Sequence, residues 1–92
     1  MGRLPAKRMT PIHELLARIR HDREFGTGQF EIGYLDRVEG TIHRVALKEI
    51  VFPAGERRVF DLVDETGRVR RIPFHRVREV YRNGQRIWHR PS

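Results

Sequence analysis

The sequence contains no cysteine, which excludes a disulfide framework, a thiolate zinc site and a catalytic thiol, and fits a reducing cytoplasm. It has no apolar run near the roughly 18 to 20 residues that a membrane span requires. The first residues carry Arg3, Lys7 and Arg8 but no apolar stretch behind them, so they do not read as a secretory signal. The expectation is a cytoplasmic protein with no membrane partner. Internal repeats, low-complexity segments, a phosphate-binding glycine loop and a nucleophile elbow are also missing. The histidines His13, His21, His43, His75 and His89 are dispersed, and no two stand at the helical i, i+4 spacing of a zinc pair. No metal and no cofactor are expected. Lysine is scarce as well: of 19 basic residues only Lys7 and Lys48 are lysine, and seventeen are arginine.

That arginine excess is the main positive signal. The chain of 92 residues has a formal net charge of +7 and a pI near 11.2. Arginine presents a planar five-donor fork that grips phosphate bidentately and stacks on bases, so an excess points toward nucleic acid or phosphate. Spread over the whole chain, it also fits the arginine preference of a GC-rich or thermophilic genome. The length suits one domain with one modest core.

Residues 1–9, with Pro5, read as a flexible basic tail, and 10–92 as a single domain. Thr10-Pro11 reads as a helix start, with Thr10 as cap and Pro11 at the first helical position. Ile12, Leu15, Leu16 and Ile19 then follow the spacing of one buried helical face. Gly26 and Gly28 bracket a turn. Strands are expected at 30–37, with Phe30, Ile32 and Tyr34 on one face, and at 41–45, 59–63 and 68–72. Gly33 inside the first strand suggests a bulge or a close backbone approach. Residues 46–50 either finish the second strand or form a helical turn. Pro73 bends the chain before a final hairpin about Asn83-Gly84, the dipeptide best suited to a type I′ turn. A regular hairpin ladder pairs Val80 with Ile87 and Glu79 with Trp88. The fold class is therefore α+β: one N-terminal helix on a small, curled, mainly antiparallel sheet or half-open SH3-like or Sm-like barrel.

Two places bear chemistry. At the bend after Pro73, a backbone N–H, the His75 imidazole and the Arg76 guanidinium can converge on one phosphate. Arg76 can equally pair with Asp36, Glu31 or Asp64. On the last hairpin, Tyr81 and Trp88 flanked by Arg86 and Arg90 offer aromatic and basic groups that stack a base while holding its phosphate. Trp88 also reads as a core residue, and Tyr34 and Phe74 more so. Asp36-Arg37 is open between a fold-holding ion pair and an end-binding site.

Three stretches together, Pro11-Ile12-His13-Glu14-Leu15-Leu16-Ala17-Arg18-Ile19-Arg20, Phe30-Glu31-Ile32-Gly33-Tyr34-Leu35-Asp36-Arg37 and Ile72-Pro73-Phe74-His75-Arg76-Val77 followed by Trp88 and Arg90, resemble the RNA cyclic group end recognition domain family. The resemblance runs from Thr10 to Arg90 and departs at His21, where an aromatic is common. It implies binding of processed RNA termini, including 2′,3′-cyclic phosphate ends, in RNA processing or repair. Carried over by position, it singles out Tyr34, Asp36, Arg37, His75, Arg76, Trp88 and Arg90. On this reading Arg76 and Arg37 hold the phosphate, His75 donates a hydrogen bond, Trp88 or Tyr34 stacks the terminal base, and Asp36 is structural. The partner is the 3′ end of an RNA, with RNA-processing enzymes as further candidates. Two alternatives stay open: a phosphoesterase or ribonuclease acting on such ends, and a protein-interaction module in an RNA-processing assembly.

Overall fold

The computed structural model describes residues 10–91; the basic tail expected at 1–9 lies outside the described residues. One helix, α1 (Ile12–His21), is followed by six strands: β1 (Phe30–Leu35), β2 (Ile42–Ala46), β3 (Val59–Val63), β4 (Val69–Pro73), β5 (Val77–Arg82) and β6 (Gln85–His89). Every strand pair is antiparallel, in a four-stranded sheet of order β2-β1-β5-β6 and a separate two-stranded sheet β3-β4. The architecture is the expected small α+β fold, with two sheets that do not close into one barrel.

Helix α1 buries Ile12, Leu15, Leu16 and Ile19, the face that the sequence spacing predicts. Its start differs by one residue from the expectation. Pro11 is the cap rather than the first helical residue, and its carbonyl accepts the N–H groups of Glu14 and Leu15 at 3.0 and 3.1 Å. Thr10 makes no cap bond; its carbonyl instead accepts the Trp88 indole N–H at 2.7 Å. After β2 the chain makes one 3₁₀ turn, Leu47–Glu49, so residues 46–50 take neither expected form alone.

The core lies between α1 and the two sheets. Phe60, Leu16, Ile32, Ile72, Val77 and Val80 are almost fully enclosed, and each contributes about 1.5 to 3 kcal/mol relative to exposure. Phe60 meets Tyr34 edge-on, with ring centres 6.1 Å apart. Pro73 is the last residue of β4, paired with Val59, where its missing N–H interrupts no central ladder. The chain then turns through the 3₁₀ segment Phe74–Arg76 into β5.

Two register shifts govern which side chains enter this core. In the first, Gly33 opposes Glu79 and Tyr34 opposes Val77, so Arg78 is an extra residue on β5. Without it Val77 and Val80, three apart, would face opposite ways; with it both are buried. Gly33 also fulfils the expected close approach, since a Cβ there would stand 2.9 Å from Ile42 Cγ2 and 3.0 Å from Glu79 Oε1. In the second shift Tyr81 opposes Arg86 but Val80 opposes Trp88, leaving Ile87 extra on β6. This corrects the regular hairpin register. Beside Val80, Trp88 is drawn inward to 8% exposure while Ile87 stays 40% exposed. Asn83 and Gly84 have φ of 52° and 83°, the two positive values a type I′ turn requires.

Candidate nucleic-acid interface

Strand register gathers the chemistry at one end of the larger sheet. Tyr34 opposes both Val77 and His43, so the chain leaving β1 at Asp36-Arg37, the chain entering β2 before His43 and the chain entering β5 through His75-Arg76 all meet there. The far end of β6 joins them, because Glu79 opposes His89 and the Arg90 N–H donates to the Arg78 carbonyl at 2.9 Å.

Around the Phe74–Arg76 turn the arrangement is cationic. The Arg90 guanidinium donates through Nη2 to the carbonyls of Val77 at 2.7 Å, His75 at 3.0 Å and Phe74 at 3.4 Å. Arg78 Nη1 donates to the same His75 carbonyl at 2.5 Å. Two guanidinium groups therefore converge on one carbonyl, and the His75 side chain is exposed beside them. Buried Nε atoms of Arg76, Arg78 and Arg90 have no hydrogen-bond partner among the described residues. No described carboxylate lies within 4.0 Å of any of the three. Burial, and then the charge of Arg78, lowers the pKa of Arg90 from its ordinary value. Like charges packed at a desolvated turn raise the local potential, and an anion lowers it again.

A second cluster centres on buried Asp36. Its Oδ1 accepts the N–H groups of Val38 at 2.8 Å and Glu39 at 3.0 Å, and its Oδ2 lies 3.7 Å from both His43 Nε2 and Arg70 Nη1. The Glu39 N–H is the chief reason the Asp36 carboxyl sits below its usual value, with burial opposing and Val38, Arg70 and His43 assisting. His43 Nε2 also contacts Glu39 Oε1 at 2.9 Å. One ligand atom each from Asp36, Glu39 and His43 falls within 4.8 Å of the others. The Arg70 guanidinium supplies a positive charge at the buried Asp36 carboxylate and offsets that one charge with a protein group. Tyr34 lies under it, stacked on His43 with ring centres 5.8 Å apart, and burial raises its hydroxyl pKa.

The predicted site residues thus fall into two neighbouring groups. His75, Arg76 and Arg90 share the cationic turn; Tyr34 and Asp36 belong to the buried cluster. Arg37 is exposed at the same sheet end. The aromatic rings proposed to stack a base are enclosed: Tyr34 is 5% exposed and Trp88 8%. The alternative partners of Arg76 are engaged elsewhere, Glu31 by Arg44, Asp36 by Arg70 and His43, and Asp64 by Thr66 and the Arg68 N–H. Sequence reasoning missed Arg78, His43 and Arg70. Arg78 is placed by a bulge that leaves no sequence mark beyond Gly33, and Arg70 reaches Asp36 from the other sheet. For His43 the Glu39-Gly40 turn was a usable signal, since a tight return folds β2 back beside Asp36.

These features define a small, strongly basic α+β domain whose sheet end carries Arg76, Arg78 and Arg90 without acidic partners among the described residues. Its family is the MJ1316 RNA cyclic group end recognition domain family: residues 9–90 match that family's model, and the chain belongs to it. No curated protein and no solved structure matches the chain significantly.

Proposed function

We propose that this domain binds processed RNA 3′ ends, holding a terminal phosphate or 2′,3′-cyclic phosphate at the Phe74–Arg76 turn. The observation that carries the reading is the convergence of Arg78 and Arg90 on the His75 carbonyl, next to Arg76 and with no described carboxylate to neutralise them. A cyclic phosphate is a monoanion with its charge spread over two free oxygens. One guanidinium fork and one imidazole N–H satisfy it. In this scheme Arg76 binds the phosphate, exposed His75 donates a hydrogen bond, and Arg37 approaches from the end of β1. Arg90 and Arg78 hold the turn open and add their field, Asp36 keeps the neighbouring loop in shape, and Tyr34 and Trp88 support the site from within the core. The role in the cell would be RNA processing or repair, alongside the enzymes that make or consume such ends.

The deciding experiment compares short RNAs ending in 3′-hydroxyl, 3′-phosphate and 2′,3′-cyclic phosphate at one salt concentration, with His75→Ala and Arg76→Ala variants. The expected result is preference for a phosphorylated end that each substitution weakens by about tenfold. Equal affinity for the three ends, unmoved by either substitution, sinks the reading. Conversion of the cyclic end during the measurement would instead favour a phosphoesterase.

A further inference from the structure

A cavity of about 760 Å³ opens at the opposite end of the four-stranded sheet from the His75 turn. The register fixes this placement, because Phe30 opposes Arg82 and Glu31 opposes Ala46 at that end, whereas Tyr34 opposes Val77 and His43 at the other. Phe30, Leu47 and Phe52 give the cavity an apolar, partly aromatic wall, and Arg20, Arg44 and Lys48 stand around it. Glu31, the one carboxylate lining it, is bound to Arg44 at 2.5 Å. Arg20 and Lys48 lie within 4.0 Å of no described carboxylate. The Arg20 guanidinium is held over the Phe52 ring, 4.1 Å from its centre, and so is positioned before any ligand arrives.

A ligand matched to these walls is flat and apolar at one end and anionic at the other. We propose that the cavity takes a nucleotide of single-stranded RNA, its base against the half-buried Leu47 and Phe52 and its phosphate between Arg20 and Lys48. The volume lies within the range of about 300 to 1,000 Å³ typical of small-ligand pockets. An acidic peptide supplies the charge but not a flat ring at each repeat. The six residues of β1 separate this cavity from the sheet end described above by roughly 17 Å, a span that a few linked nucleotides bridge. Placing the nucleotide upstream of a captured 3′ end rests on the function proposed above; occupancy of the cavity by single-stranded RNA does not.

The test measures binding of an about eight-nucleotide oligouridylate with a 3′-hydroxyl end, a site size ordinary for single-strand binders. An abasic strand of the same length, a cyclic-phosphate oligouridylate and polyglutamate as competitor complete the set. Arg20→Glu and Lys48→Glu, both exposed positions, should each lower oligouridylate affinity about tenfold. They should leave the ratio between cyclic-phosphate and hydroxyl ends unchanged. Arg68→Glu, an exposed charge change in the turn between β3 and β4, should have the smaller effect of net charge alone, and Phe52→Leu should weaken strands with bases more than the abasic strand. An equal loss with Arg68→Glu, abasic binding as tight as that of oligouridylate, or competition by polyglutamate as strong as by RNA overturns the proposal. If end discrimination is absent while the Arg20 and Lys48 effects remain, the 3′-end reading fails and the cavity assignment stands.

Discussion

Arg90 is a cation whose Nη2 is committed to backbone carbonyls. Its three carbonyl contacts and its position 5.4 Å from the Trp88 ring make it a brace for the Phe74–Arg76 turn. Arg90→Ala should therefore lower stability by about 2 kcal/mol, the scale of charge-assisted hydrogen bonds, seen as a melting temperature roughly 10 °C lower. Arg90→Lys keeps the charge but replaces the planar guanidinium beside the Trp88 ring with a compact ammonium on a different stem. If the brace role is right, lysine will restore RNA affinity better than it restores the melting temperature. Asp36 makes the pH-dependent counterpart. Its folded-state pKa is depressed, so its contribution is complete above the ordinary carboxylate value and is lost as pH falls through the lower folded one. Urea midpoints should drop on acidification below about pH 4. Asp36→Asn should be less stable at neutral pH and show a shallower acid limb.

Among elements, the last hairpin departs most from what its sequence suggests. Asn83-Gly84 forms the turn that the dipeptide predicts, and Asn83 Oδ1 also accepts the Gln29 N–H at 2.9 Å. The ladder then slips at Ile87. Because Val80 opposes Trp88 with Ile87 as the surplus residue, deletion of Ile87 should leave that pair in a regular ladder. The shortened protein is expected to fold with blue-shifted tryptophan emission; emission at the fully solvated wavelength would show that the bulge itself holds Trp88 inward. The contrast with the helix shows what a sequence reveals. Ile12, Leu15, Leu16 and Ile19 follow a period that local geometry enforces, and β3 ends where its apolar alternation ends. Bulges depend on which residue the core can accept, a tertiary choice with little local sign. The site divides in the same way. His75 and Arg76 stand out after Pro73, whereas Arg78, His43 and Arg70 reach their places through register and sheet-to-sheet contact.

At the scale of the molecule, charge governs behaviour. A net +7 should make RNA binding strongly salt-dependent, with a slope near −0.7 for each phosphate released from its counterions. If the turn and the cavity together engage about four phosphates, affinity should fall about fiftyfold between 50 and 200 mM salt. Arg76→Ala and Lys48→Glu should each make the slope shallower. Among the described residues no helix is long and apolar enough to cross a membrane. The exposed valines Val51, Val63 and Val69 gather on and beside the β3-β4 hairpin.

The bond from the Trp88 indole to the Thr10 carbonyl brings positions 78 residues apart in sequence into direct contact, so the start of α1 and the end of β6 are neighbours in space. Linking positions 10 and 90 by a short flexible peptide and opening the chain at the exposed Thr66-Gly67 turn should yield a circular permutant with the same core. Such a protein would keep the indole bond while making this long-range contact a local one. Because the opening also splits the β3-β4 hairpin, whose five local pairs become long-range ones, it should nonetheless fold more slowly than the natural order of elements.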